Sequence, residues 1–141
     1  MSTQAWQRTA RIMRRAAFGV TGADVDRVGA DVEKWVDDAL SPGADPGVDP
    51  TPQPTFAAIP TVAANATQAQ RQARNQAVNA QGDQLTLWWL TRMVAAPRPV
   101  LERLTFAWHN HWATSLSKVR EPSLMLQQNQ LLRRQGLGSF T

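Results

Sequence analysis

The sequence predicts an all-α fold, an irregular array of helices with a long Pro-rich loop after a first helical hairpin. Three observations predict it. Apolar residues recur at three- and four-residue spacing in successive stretches, which gathers them on one helical face. Ser, Thr, Asp or Pro stands where such stretches begin, and Gly or Pro where they end. Alternating runs of β-branched residues, the pattern of a half-buried strand, are absent from the sequence.

Ser2 or Thr3 caps a first helix from about Gln4 to Ala17, with Trp6, Ala10, Met13 and Ala17 on one face. Arg8, Arg11, Arg14 and Arg15 sit mostly off that face, free for water or for carboxylates elsewhere in the fold. Phe18-Gly19-Val20-Thr21-Gly22 breaks the helix, and Thr21 caps a short one through Val25 and Val28 that Gly29 ends. A third helix covers about Asp31 to Leu40, with Val32, Trp35, Val36 and Ala39 on its apolar side, and Ser41-Pro42-Gly43 stops it. From Pro42 to Pro60 the composition turns to Pro, Gly, Asp and Thr, which predicts an extended surface loop. The Ala-, Gln- and Asn-rich stretch 61–82 predicts a solvent-facing helix with Gly82 as its stop.

The remainder, 83–141, holds four of the six Trp and both His. Asp83 caps a helix to Val94 or Ala96 in which Leu85, Trp88, Trp89, Leu90 and Met93 cover much of the circumference, so it belongs inside an assembly of helices. Pro97-Arg98-Pro99 ends it and opens another, Pro99 to about Ala113, lined by Leu101, Leu104, Trp108 and Trp112. Thr114 to Arg120 reads as a connection. Pro122 opens a last helix, with Leu124, Gln128, Leu131 and Leu132 near one another, and Gly136 ends it. Three parts result: short helices over 1–41, the Pro-rich loop and exposed helix over 42–82, and a Trp-rich core segment over 83–141 that is expected to continue beyond Thr141.

Composition narrows the function classes. There is no Cys, so disulfides and thiolate chemistry are excluded. The net charge of +4 comes from dispersed Lys and Arg, which predicts a solvated surface and no specific nucleic-acid partner. No apolar run approaches the ~20 residues of a membrane-spanning helix, and no secretory signal is seen, so a cytoplasmic location is expected.

Candidate chemistry centres on Glu102, His109 and His111. The contiguous letters His109-Asn110-His111 are not the nuclease motif of the same initials, whose residues are spread over several elements. A neutral imidazole is a metal ligand, but residues two apart on a helix point about 200° apart. At most one of His109 and His111 can therefore face a given ion. Glu102 and His109 lie two turns apart on one side of the helix, ~10 Å along the axis, which suits two walls of one cavity. Opposed to this is a purely structural use, in which Glu102 pairs with an Arg (Arg98 or Arg103) and the imidazoles bond to backbone or carboxylate. Trp88, Trp89, Trp108 and Trp112 read as core before they read as a stacking platform. Ser115 and Ser117 have no paired base.

Arg14-Arg15-Ala16-Ala17-Phe18-Gly19-Val20-Thr21 resembles the opening of a large bacterial family, domain of unknown function 1800. Trp88-Trp89-Leu90-Thr91-Arg92-Met93, then Pro99 through Ser115, resembles its most recognisable signature, and Lys118-Val119, Leu124-Met125 and Gln128 to Arg133 continue in order. The resemblance implies a mainly helical protein with no assigned reaction, of which this chain is similar to the N-terminal part. The expected function is that of a helical protein whose motif residues are chiefly scaffold and whose partner is the remaining C-terminal part or a second copy. The alternative is half of a hydrolytic or metal-assisted site bearing Glu102, His109 and His111; a weaker one is polyanion binding. No cofactor can be named from the sequence.

Overall fold

A computed structural model of the chain describes residues 1–41, 50–112 and 114–138. Among these are seven helices and no strand: α1 Thr3–Ala16, α2 Gly22–Val28, α3 Val32–Leu40, α4 Gln68–Ala95, α5 Pro99–Trp112, α6 Leu116–Val119 and α7 Pro122–Gln135. The fold is all-α. No helix in the described residues is long and apolar enough to cross a membrane.

The first three helices form where local signals agree. The Ser2 hydroxyl accepts from the Ala5 N–H, and Thr21 and Asp24 close a reciprocal capping box at the start of α2. Ala10, Met13, Val25 and Val32 make a small core, flanked by Trp6, Ile12, Val20, Val28 and Trp35. Buried Thr9 donates to the Gly29 carbonyl, and the Trp6 indole donates to Asp26. Exposed Arg8 pairs with Glu33, tying α1 to α3.

The predicted stop at Gly82 is overturned. α4 is one helix of 28 residues that opens at a Thr67–Gln70 capping box and runs through Gly82 and Asp83 without interruption. Gly82 is buried, and a Cβ on it would stand 2.3 Å from the Leu116 Cδ2. The glycine is there to let α6 approach. Its helix-propensity cost of about 1 kcal/mol is carried by the rest of a long, capped helix.

The segment 50–66 has no regular structure, as predicted over Pro50 to Pro60, while 42–49 lie outside the described residues. It is not wholly superficial: Thr51 and Ile59 are buried. Side chains of α4 hold it by its carbonyls, Arg74 donating to Pro60 and Gln81 to Ala57.

Helix α5 packs against α1, α3, α4 and α7 and is the centre of the molecule. The predicted connection 114–120 contains the one-turn α6, and Ala113 lies outside the described residues. α7 buries Pro122, Met125, Leu126, Asn129 and Arg133, while Leu124 and Leu131, expected at its apolar side, are exposed. Gly136 ends α7 in ordinary right-handed backbone, not in the left-handed form common at helix ends. It makes room for Trp108: a Cβ would stand 3.1 Å from the Trp108 Cδ1, and the Gly136 carbonyl accepts from the Trp108 indole at 3.1 Å.

Candidate functional site

Helices α4, α5 and α7 bring one carboxylate and two guanidiniums together in the interior. Glu102 on α5 is 0% exposed, Arg92 on α4 is 1% exposed and Arg133 on α7 is 7% exposed. The Arg92 Nε donates to the Glu102 Oε1 at 2.7 Å. Arg133 is bidentate, its Nε donating to Oε1 and its Nη2 to Oε2, both at 2.8 Å. The Trp89 indole N–H reaches Oε2 at 3.2 Å. The Trp88 ring, also buried, lies 5.9 Å from the Arg92 guanidinium and 5.5 Å from that of Arg133. Its own N–H donates to the Thr51 carbonyl, and Arg92 Nη1 donates to the Thr51 hydroxyl.

Sequence reasoning named the wrong arginines for Glu102. Arg98 instead donates to the Ala39 and Ser41 carbonyls at the end of α3, and Arg103 lies 5.0 Å from the Phe18 ring. Arg133, in the last turn of α7 where a cation is commonly solvated, is buried. The signal that could have found the cluster is Trp88, Trp89 and Arg92 at three- and four-residue spacing, with a basic residue set beside two indoles.

His109 and His111 diverge, as their spacing requires. His109 is half-buried, its ring 5.1 Å from Trp89 in an edge-to-face contact. Trp89 therefore stands between Glu102, which its N–H holds, and His109, which its ring meets. His111 is exposed, edge-on to Trp108 at 5.8 Å and to Trp112 at 5.5 Å. Among the described residues no group of three or more His, Cys, Asp or Glu could hold a metal ion. The four indoles are divided in use: the Trp88 N–H goes to Thr51, that of Trp89 to Glu102 and that of Trp108 to Gly136, while Trp112 is exposed. Among the described residues, Arg8, Arg27 and Lys34 pair with Glu33, Asp24 and Asp38.

His109 opens onto a cavity of about 390 Å³ bounded by α4, α5, α6 and α7. Asn129 of α7, which sequence reasoning did not single out, lines the same cavity and is 3% exposed. Burial disfavours the imidazolium, so His109 titrates below its ordinary 6.5. The unfolded chain then binds a proton that the folded chain refuses, and stability falls as pH drops below 6.5. Urea midpoints measured on either side of that value should show the decline. A His109→Phe variant should show a smaller one, which separates the imidazole from carboxylates that titrate lower.

The family model described as "Protein of unknown function (DUF1800)" matches residues 11–141. No curated protein and no solved structure matches the chain significantly.

Proposed function

The chain belongs to the DUF1800 family, and from that premise we propose that it is a helical scaffold whose motif residues serve the fold and whose partner is further polypeptide of the same protein. Glu102 carries this reading. A general acid or base must reach the group whose proton it moves, and Glu102 is 0% exposed with both oxygens taken up by Arg92, Arg133 and Trp89.

The partner reading draws support from α4. Leu87, Leu90 and Val94 lie three, four and seven residues apart and are 67%, 54% and 86% exposed. A single exposed leucine is ordinary, but three along one stripe make an apolar patch of the kind that marks an interaction surface. Polypeptide packing on this stripe would bury it as core. Deprived of that cover, the chain alone should associate with itself. Light scattering after size exclusion should show mass rising with concentration, and Leu87→Glu with Val94→Glu should give a monomer that melts where the parent does, since substitutions at such exposed sites are usually worth within ±0.5 kcal/mol. A parent that stays monomeric at every concentration and binds no hydrophobic dye overturns the partner reading.

A second reading, half of a hydrolytic or metal-assisted site, draws support from His109, since a neutral imidazole facing a cavity is the form that accepts a proton or binds a metal. Metal content and activity of the natural protein bearing His109→Ala or His111→Ala test it. Unchanged values with stability alone reduced would remove it.

A further inference from the structure

We infer that the cavity bounded by α4, α5, α6 and α7 binds a neutral, mainly apolar small molecule carrying one carboxamide or lactam edge. This goes beyond the scaffold reading and does not depend on it.

Size and lining come first. About 390 Å³ lies within the range of small-molecule sites. Leu85, Trp89, Met93, Phe106 and Met125 supply most of the wall; among the described residues no Asp, Glu, Lys or Arg lines it, and burial disfavours the charged form of His109, which does. An ion entering would leave water without a counter-charge, so the site selects neutral molecules.

The polar groups narrow the class further. The Thr86 hydroxyl is committed to the Gly82 carbonyl at 2.9 Å, Thr114 to Gln128 at 2.6 Å, and Ser115 to Ser117 at 2.8 Å. Asn129 differs. Its Oδ1 and Nδ2 are both buried, and neither has a hydrogen-bond partner among the described residues. Buried amides are ordinarily paired, because leaving one unmade forfeits its full solvation. Asn129 offers an acceptor and donors side by side. The group that answers both at once is another amide edge, C=O beside N–H, forming two parallel hydrogen bonds. A carboxylate would bring acceptors alone and a charge. A ketone or ether would satisfy only the donors. Neither atom is open to water as it stands, so binding requires the amide to turn toward the occupant about its broad terminal torsion.

Methionine labelling tests this on the intact chain. The four Met are Met1, Met13, Met93 and Met125. Met93 and Met125 line the cavity, while Met13 lies in the α1–α3 core and Met1 is exposed at the N-terminus. With ¹³C-methyl labels, 3-phenylpropanamide should shift Met93 and Met125 and leave Met1 and Met13 in place. It should bind about tenfold more tightly than isosteric 4-phenylbutan-2-one or 3-phenylpropanoate, a 1.4 kcal/mol preference. Asn129→Leu should erase that preference and raise the melting temperature, since it removes an unpaired buried amide. Equal affinity for amide and ketone, shifts at Met13, or no shift at millimolar amide overturns the proposal. So does an Asn129→Leu chain that melts lower and keeps the preference. Should that variant fail to fold, comparison of the three probes on the parent chain decides alone.

Discussion

Glu102→Ala will lower stability by about 3–5 kcal/mol, because it removes the buried carboxylate to which two guanidiniums donate. That is a large share of the 5–15 kcal/mol available to a typical domain, and it should lower the melting temperature by about 10–20 °C. Arg92 at 1% and Arg133 at 7% exposure cannot turn out to water without opening the α4–α5–α7 interface. Glu102→Gln keeps the shape and one acceptor but sets an amide N–H against a guanidinium, so its loss should be smaller and still clear. The more telling variant replaces all three residues at once, Arg92→Met, Glu102→Leu and Arg133→Leu. Desolvating three charges offsets most of what their attraction returns, so a packed apolar trio should recover to near the parent or above it. The triple will be far from additive, as expected of residues sharing one network. The order Ala well below Gln, and Gln below the triple, can be read from denaturant midpoints. A Glu102→Ala chain that melts with the parent would mean the carboxylate is not held by these arginines, and would reopen it as a catalytic group.

The same cluster marks the limit of what the residues disclose on their own. α1, α2 and α3 were legible because periodicity, caps and glycine joints coincide within a few residues of one another: Ser2, Thr21 and Gly29 act where they stand. Gly82 was misread for a physical reason. Glycine both ends helices and admits close neighbours, and the difference lies in Leu116, 34 positions along the chain, whose tip would meet a Cβ. The burial of Arg92 and Arg133 was not legible because charged side chains default to the surface, and their partner Glu102 lies on another helix. The divergence of His109 and His111 was legible, since helical geometry alone dictates it. Thr51 and Asn129 were not legible, because nothing local distinguishes a buried Thr in a Pro-rich stretch or an Asn without a partner.

Trp88→Ala should cost about 3–5 kcal/mol, the range for emptying a buried aromatic site. Trp88 does more than fill space. Two guanidiniums donate to one carboxylate, and the ring lies within 6 Å of both cations. When desolvated, such contacts are worth up to about 2 kcal/mol. The indole N–H also ties the segment around Thr51 to α4 at 3.1 Å. These uses can be separated. Trp88→Phe keeps an aromatic face toward the arginines and removes the tie, so it should cost about 1–2 kcal/mol. Hydrogen exchange should then speed in the segment 50–60 while α5 and α7 stay protected. Trp88→Ala should speed exchange in all three. If Phe and Ala prove equally damaging, the tie to Thr51 dominates. If Phe is harmless even to the segment 50–60, the indole tie is not needed to hold Thr51, and the indole serves as a face for the two guanidiniums.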